Sequence, residues 1–223
     1  MQDPHYCCNM KLLTGELEDY ILKHIDPEDE LLAELYRKTH AGILNPHMLA
    51  GHLQGKIIEM ISHMIRPRVV LEIGTYTGYS TLCLVKGLKN GGILYTIDIN
   101  DEIESFTRSF LEKSPQNSMI RYFTGDALKL IPEIKGNFDL VYIDGDKSEY
   151  LSYYRAVINR VNPGGYVLAD NVLWDGKVVQ LKANHDRATK GMMAFNDYVH
   201  NDPGVQHVIL PVRDGLMLIR KLN

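Results

Sequence analysis

From Pro67 onwards, the sequence alternates between short apolar segments and amphipathic stretches of helix length. The apolar segments span residues 69–73, 93–97, 119–123, 140–143, 166–169, 205–210 and 216–219. This alternation is typical of repeated strand–helix units, in which helices cover both faces of a parallel sheet. The last two segments are separated only by residues 211–215, which are too few for a helical crossover. The sequence therefore predicts a doubly wound α/β sheet of seven strands, mostly parallel, with an antiparallel hairpin at one edge.

The part of the chain before the first apolar segment has a different pattern. Apolar residues recur there at every third or fourth position up to about Arg66, which is typical of amphipathic helices. A chain of 223 residues suits one core with a helical appendage and is short for two domains. We therefore expect a helical segment over residues 1–66, packed on a core that spans residues 67–223.

Composition narrows the class of protein and its location. Hydrophobic residues make up 45% and charged residues 23% of the chain, and no apolar stretch is long enough to span a bilayer. The net charge of -4 argues against a general polyanion-binding surface. Residues 1–10 lack the features of a secretory signal, so a cytoplasmic location is expected. Cys7 and Cys8 are adjacent, which suits reduced thiols better than a structural disulfide.

Several apolar segments end on an acid, a glycine or an acid followed by an amide. These residues are Glu72, Gly74, Asp98, Asp144, Asp170 and Asn171. The carboxyl ends of parallel strands lie along one edge of the sheet, and ligands bind in the crevice there, so these side chains should converge. A single acid at a strand end is more often a helix cap than a ligand contact. Recurrence at four strand ends favours a binding site.

The first strand end leads into a glycine-containing loop, residues 74–80. A dinucleotide-binding loop would carry glycines at positions 74, 76 and 79, but tyrosine occupies 76 and 79 and leaves little room for a pyrophosphate. Asp98, at the end of the second strand, can accept hydrogen bonds from both hydroxyls of a ribose. Taken alone, each feature suits a plain turn or a helix cap as well as a cofactor. Together they favour an adenosine cofactor without phosphates, which indicates S-adenosylmethionine.

Asp144, Asp170 and Asn171 offer two carboxylates and one amide oxygen from neighbouring strand ends. Hard oxygen ligands suit magnesium, with calcium or manganese as alternatives, rather than zinc. The competing interpretation is a hydrogen-bonded acid pair that closes two turns. Two carboxylates without a cation repel each other and raise one pKa, so a bound divalent metal explains the arrangement more simply.

Lys147 follows Asp144 by three residues, within one turn of chain. A lysine desolvated beside a divalent cation has a lowered pKa and can act as a general base. The alternative is a surface ion pair with Asp146 or Glu149. The residues alone leave both interpretations open.

Five segments together resemble the small class I S-adenosylmethionine-dependent, metal-dependent O-methyltransferases. This family includes catechol and caffeoyl-coenzyme A O-methyltransferases and their bacterial relatives. The segments are LEIGTYTGYS at 71–80, TIDIN at 96–100, GDAL at 125–128, YIDGDKSEY at 142–150 and LADNVLW at 168–174. The resemblance extends from about residue 47 to the C-terminus, and it implies a Rossmann-like fold and a homodimer.

The resemblance also implies roles for individual residues. The residues implied around the methyl donor, with Ala127 near the adenine, are Met48, Glu72, Gly74, Ser80, Asp98, Asp126, Ala127 and Asp144. Met48 lies in NPHMLAGHLQG, residues 45–55, which resembles a bacterial segment that covers donor and substrate. The implied metal ligands are Asp144, Asp170 and Asn171. Lys147 is the implied base, and Asp144 is the second implied catalytic residue.

The reaction implied is transfer of the donor methyl to a hydroxyl of a small catechol-like or phenolic acceptor, with divalent-metal assistance. The N-terminal helices and the polar run 174–190 are expected to shape the acceptor site and contact a second subunit. That run predicts a long loop or lid that leads into a helix around 192–200.

Three alternatives remain to be weighed. A protein of the same fold can methylate a hydroxylated uridine in transfer RNA, and the candidate phosphate contacts are Arg66, Arg68, Lys177, Lys182, Arg187 and Lys190. Charged side chains at this density are usually a solvated surface. A non-catalytic nucleotide-binding protein is disfavoured because Lys147 accompanies all three metal positions. A nicotinamide oxidoreductase is disfavoured by the missing glycine pattern.

Overall fold

The computed structural model describes residues 15–181 and 185–223. These residues form one seven-stranded sheet with accompanying helices. The strands are β1 (Val69–Ile73), β2 (Ile93–Asp98), β3 (Ile120–Thr124), β4 (Phe138–Ile143), β5 (Val161–Ala169), β6 (Val205–Leu210) and β7 (Leu216–Lys221). The helices are α1 (Gly15–Lys23), α2 (Glu30–Gly42), α3 (Gly51–Ile65), α4 (Tyr79–Lys86), α5 (Glu104–Leu111), α6 (Ala127–Leu130), α7 (Tyr150–Val157) and α8 (Arg187–His200). Cys7, Cys8 and Lys182 lie outside the described residues.

The strand order is β3-β2-β1-β4-β5-β7-β6, which confirms the predicted α/β fold. Strands β1 to β5 run parallel to one another, whereas β7 pairs antiparallel with both β5 and β6. The chain reverses its direction of progress across the sheet between β1 and β4. In open α/β sheets, this switch point opens a crevice at the carboxyl ends of the strands. The topology therefore places a binding site beyond Ile73 and Ile143.

Two apolar layers cover the sheet, because successive side chains of a strand point to opposite faces. Leu71 packs on one face in the cluster that contains Tyr154 of α7 and Phe195 of α8. Val70 packs on the other face in the cluster that contains Ile58 of α3 and Leu82 of α4. Burial on both faces explains why the central strands read as continuous apolar runs rather than as alternating patterns.

Helices α2 and α3 pack on one of these faces, whereas α1 contains no buried residue. Leu32 and Leu35 of α2 are buried in the same cluster as Ile58 of α3, and Leu49 between those helices is also buried there. The helical pattern before β1 was thus predicted from its apolar spacing. No helix in residues 15–181 or 185–223 is long and apolar enough to cross a membrane.

The polar run 174–190 contains helical structure that its composition did not predict. Residues Trp174–Val179 form a 3₁₀ helix with a kink, and α8 begins at Arg187 rather than near 192. Asp186 caps α8, since its carboxylate accepts a hydrogen bond from the backbone N–H of Thr189 at 2.7 Å. The predicted loop was therefore too long, since it extended to residue 190 and α8 begins before that. The start of this helix is set by its N-cap residue and not by apolar periodicity.

Candidate active site

A cavity of about 1530 Å³ opens at the carboxyl edge of the sheet, beside the ends of β1 and β4. Nine residues predicted from the sequence line it: Met48, Gly74, Asp98, Asp126, Ala127, Asp144, Lys147, Asp170 and Asn171. Eight of them end or follow strands β1 to β5 and meet because these parallel strands end together, whereas Met48 comes from the segment before α3. Convergence at this edge is the arrangement that the strand-end acids indicated.

Asp98 joins the end of β2 to the loop that follows β1. Its Oδ2 accepts a hydrogen bond from the backbone N–H of Tyr76 at 2.5 Å, and its Oδ1 accepts one from Asn100 N–H at 2.8 Å. Each carboxylate oxygen has a second lone pair. The carboxylate is therefore fixed in orientation and still able to accept hydrogen bonds from a ligand in the cavity.

Gly74 is required by both conformation and space. Its φ is +100°, in the region that L side chains rarely adopt, and a Cβ there would lie 2.3 Å from the carbonyl oxygen of Asp144. The backbone N–H of Asp144 donates to the carbonyl of Ile73 at 2.7 Å, which ties the two strand ends together. The loop after β1 thus packs directly against the backbone that carries Asp144.

Glu72 and Ser80 do not line the cavity. The fully buried carboxylate of Glu72 accepts hydrogen bonds from the Oγ of Ser80 and the Oγ1 of Thr96, each at 2.6 Å, and from the hydroxyl of Thr81. Burial raises the pKa of Glu72 to about 7, although these hydroxyls oppose the shift. The contact with the donor that the resemblance implied for these two residues stays a prediction. Their hydrogen bond ties the end of β1 to the start of α4.

Asp170 is 3% exposed and is held by several donors. Its Oδ2 accepts hydrogen bonds from the hydroxyl of Tyr142 at 3.0 Å and from the side-chain amide of Gln54. Its Oδ1 accepts one from the backbone N–H of Asn171 at 2.8 Å. Asn171 has a φ of +57°, a left-handed conformation that asparagine tolerates better than most residues. The turn after β5 therefore fixes the carboxylate and presents the neighbouring amide.

Lys147 contacts Asp144 rather than the surface acids. Its Nζ lies 2.6 Å from Asp144 Oδ1 and 3.0 Å from the hydroxyl of Tyr150. Asp146 instead accepts a hydrogen bond from the backbone N–H of Ser148. The alternative of a surface ion pair with Asp146 or Glu149 is not what the structure shows.

The charges of this pair depend on each other. Burial raises the pKa of Asp144 to about 6, while Lys147 lowers it and Asp170 raises it further. Burial alone would lower the pKa of Lys147, but the attraction of the Asp144 carboxylate outweighs it and the pKa is raised. Lys147 is therefore a cation in this arrangement, and Asp144 compensates its charge.

The residues at this edge fit a hard divalent cation. The Asp170 carboxylate is close enough to raise the pKa of Asp144, and the side-chain amide of Asn171 makes no hydrogen bond within the described part of the chain. Oxygen donors of this kind are those that magnesium, calcium and manganese prefer. No group of three or more His, Cys, Asp or Glu side chains in residues 15–181 and 185–223 is arranged for a metal. A metal site here would therefore use the side-chain amide oxygen of Asn171 as its third protein ligand.

Three further residues at the site escaped the sequence-based predictions. The hydroxyl of Tyr150 lies 3.0 Å from the carbonyl oxygen of Asp170 and 3.2 Å from that of Ile143, between the two strand ends. Gln54 and Arg213 form a hydrogen-bonded link to Asp170. Tyr150 and Gln54 lie within motifs of the sequence, but Arg213 sits in a hairpin turn that carried no signal.

The O-methyltransferase family model matches residues 23–222, which is nearly the whole chain. The chain belongs to the O-methyltransferase family. It is an S-adenosylmethionine-dependent O-methyltransferase of the catechol and caffeoyl-coenzyme A type, which confirms the predicted family and enzyme class. The non-catalytic and nicotinamide-dependent alternatives are thereby set aside.

Relatives of this O-methyltransferase cover most of its length. It is 31% identical to a caffeoyl-CoA O-methyltransferase of Petroselinum crispum, with 95% of this chain and 93% of the relative covered. It is 28% identical to a catechol O-methyltransferase of Niastella koreensis, with 82% and 83% covered. A crystal structure of an O-methyltransferase from Bacillus cereus in complex with SAH superposes with a TM-score of 0.86 at 27% identity, covering 92% of this chain and 97% of that one.

Proposed function

We propose that this O-methyltransferase transfers the methyl group of S-adenosylmethionine to a hydroxyl of a small catechol-like or phenolic acceptor, assisted by a divalent cation, magnesium first. The observation that carries the proposal is that the paired carboxylates Asp144 and Asp170 share one cavity with Asp98. A donor site and a cation site within one cavity allow the methyl group and the acceptor oxygen to be aligned. Alignment of two reactants is among the largest contributions that a protein makes to such a reaction.

On the donor side, Asp98 would accept hydrogen bonds from the ribose hydroxyls with its remaining lone pairs. Ala127, at the start of α6, would flank the adenine, and Met48 would close the cavity from the segment before α3. Asp126 is the N-cap of α6, because its Oδ1 accepts from the backbone N–H of Leu128 at 2.9 Å, so it orients this end of the cavity. The Bacillus cereus relative in complex with SAH supports this use of the cavity.

On the acceptor side, Asp144, Asp170 and Asn171 would hold the cation. When bound, a divalent cation lowers the pKa of a coordinated hydroxyl and orients its oxygen. Lys147 Nζ would lie beside that oxygen, and its positive charge would stabilise an oxyanion there. The Asp144 carboxylate raises the pKa of Lys147 and keeps the lysine protonated. Lys147 would therefore accept a proton only if another positive charge compensated the Asp144 carboxylate.

The charges around the acceptor side favour a neutral or cationic acceptor. Asp175 is exposed, and its backbone N–H donates to Asp214 Oδ1 at 2.5 Å, so two acids meet at this wall. Burial raises the pKa of Asp214, and although the hydrogen bond from Asp175 N–H opposes the shift, the charges of Asp170 and Asp175 add to it. The lysine and the arginine that line the cavity in the described part of the chain are both engaged, Lys147 with Asp144 and Arg213 with carbonyl oxygens. Of the acceptors named for the relatives, a catechol suits this wall better than a phosphate-bearing coenzyme A ester.

The transfer RNA alternative finds less support. Arg66 and Arg68 precede β1, whereas the cavity lies at the opposite end of that strand, roughly 16 Å away at about 3.3 Å per residue. Lys177 lies 3.8 Å from Asp186, which compensates its charge. Arg66 and Arg68 therefore lie apart from the cavity, whereas Arg187 and Lys190 belong to α8, which reaches the cavity at Ala188. Lys182 lies outside the described residues.

A panel of acceptors tests the proposal. Methyl transfer from labelled donor is measured with and without magnesium on a neutral catechol, a catechol amine, a catechol carboxylate, a phenolic coenzyme A ester and total transfer RNA. We expect magnesium-dependent product with the neutral or cationic catechols and less with the anionic ones. Product with transfer RNA alone would contradict the proposed acceptor class.

A further inference from the structure

Arg213 lies in the turn between β6 and β7. Its side chain forms hydrogen bonds with the start of α3, which is far from it in the sequence. Its Nη1 donates to the carbonyl oxygen of Leu49 at 3.1 Å, to the carbonyl oxygen of Ala50, and to Gln54 Oε1 at 3.0 Å. Arg213 is itself exposed and holds a φ of +47°, an uncommon conformation for this residue type. The hairpin turn is thus tied to the segment that leads into α3.

The side-chain amide of Gln54 connects Arg213 to Asp170. Gln54 is 2% exposed, and its side-chain nitrogen donates to Asp170 Oδ2. Arginine can only donate and a carboxylate ion can only accept, so the amide has one orientation that satisfies both neighbours. Its oxygen faces Arg213 and its nitrogen faces Asp170. The hydrogen bonds on the two sides of Gln54 are therefore mutually dependent.

Tyr142 is a second hydrogen-bond donor to Asp170 Oδ2. Its hydroxyl donates to Asp170 Oδ2 at 3.0 Å, and Gln54 Nε2 lies 3.5 Å from that hydroxyl. Together with the backbone N–H of Asn171 on Oδ1, these donors fix the plane of the carboxylate. Without these donors, the carboxylate would lose the contacts that set its orientation.

We propose that Gln54 and Arg213 are positioning residues that hold Asp170 ready for the divalent cation. The inference rests on the proposed function, because it assumes that Asp170 is a cation ligand. Groups that orient a ligating carboxylate typically change metal affinity by about 10- to 100-fold when they are removed. Arg213 is linked to the Asp170 carboxylate through Gln54 and makes no hydrogen bond of its own to that carboxylate in the described part of the chain.

Calorimetric titration of the full chain with Mg²⁺ and with Mn²⁺, without donor or acceptor, tests this inference. Gln54→Met removes the hydrogen bonds of the side-chain amide to Asp170 and Arg213 and keeps a similar side-chain volume. Arg213→Met removes the guanidinium group at the exposed end of this link. Each variant should weaken cation binding by about 10-fold or more. The double variant should be no weaker than Gln54→Met alone, since the two residues act in series.

Matched controls are Gln206→Met and Arg220→Met, two exposed positions on the same hairpin whose side chains do not reach the cavity. Both should bind the cation as the wild type does. Should Gln54→Met fail to fold, Arg213→Met still tests the link from the exposed side. Variants that melt at lower temperature but keep wild-type cation affinity would overturn the inference and leave the proposed function intact. A wild-type chain that binds neither cation would overturn both.

Discussion

Glu72 holds a fully buried carboxylate with a pKa of about 7, above the ordinary value of 4.5. Between these pH values the folded chain binds more protons at this residue than the unfolded chain does, so stability falls as pH rises through this window. The shift corresponds to about 3 kcal/mol at most, at about 1.4 kcal/mol per pKa unit. Burial of Glu72 therefore makes its contribution to stability sensitive to pH.

Substitution Glu72→Gln should reduce that pH dependence. Urea denaturation at pH 5 and pH 8 measures the free energy of unfolding of wild type and variant. The loss of stability between these pH values should be smaller in Glu72→Gln by up to about 3 kcal/mol. The exposed Glu133→Gln serves as control and should keep the wild-type difference. An unchanged pH dependence in Glu72→Gln would contradict the raised pKa.

Some site residues can be located from the sequence and others cannot. Asp98, Asp144 and Asp170 are predictable because each ends an apolar strand, and parallel strands end on one edge. Gln54 and Arg213 are not, since their pairing depends on how the hairpin turn packs against α3. Strand ends are fixed by local pattern, whereas a hydrogen bond between residues 159 positions apart is set only by tertiary packing.

At the scale of elements, the loop after β1 is packed against the end of β4, and Gly74 is the point of contact. Substitution Gly74→Ala would add both a strained φ and a Cβ 2.3 Å from the Asp144 carbonyl oxygen. Gly91→Ala is the matched control, because Gly91 has a φ of +74° and open space around its Cα. The control should cost about 1–2 kcal/mol of stability from conformation alone.

Gly74→Ala should cost clearly more than the control and should weaken S-adenosylhomocysteine binding, since the loop must move away from Asp144. Urea denaturation and calorimetry give the two quantities. Equal stability losses in Gly74→Ala and Gly91→Ala, with donor binding intact, would show that the close contact between loop and strand is unimportant.

Element boundaries show where sequence patterns stop being informative. All seven strands were predicted near their observed positions, since a strand buried on both faces gives an unbroken apolar run. The beginning of β5 at Val161 was missed, because this end contains Asn162, Pro163 and two glycines rather than apolar residues. The beginning of α8 was missed for a related reason, as the Asp186 cap sets it.

For the whole molecule, the distribution of charge argues for a small acceptor. The net charge is -4, acids line the cavity, and Arg66 and Arg68 lie at the other end of β1. We expect total transfer RNA to show no salt-sensitive retention on the purified chain, because retention of that kind requires several phosphate contacts on one surface. Strong retention at 50 mM salt that falls steeply at about 200 mM would contradict this expectation.

The fold itself was more predictable than the acceptor. Strand–helix alternation and the strand-end residues define the sheet, the crevice and the donor side. The proposed acceptor side includes Trp174, Asp175 and the β6–β7 turn, which the sequence could not bring together because contacts such as that of Asp175 N–H with Asp214 are set by tertiary packing.

The central claim is that methyl transfer depends on a divalent cation held by Asp144 and Asp170. The most direct measurement is the rate of labelled methyl transfer to a catechol, with magnesium and with chelator, in wild type, Asp144→Ala, Asp170→Ala and the exposed control Asp197→Ala. Circular dichroism verifies that each chain is folded. We expect magnesium-dependent activity in the wild type and the control, and its loss in both cavity variants. Full activity of chelator-treated Asp170→Ala would contradict the claim.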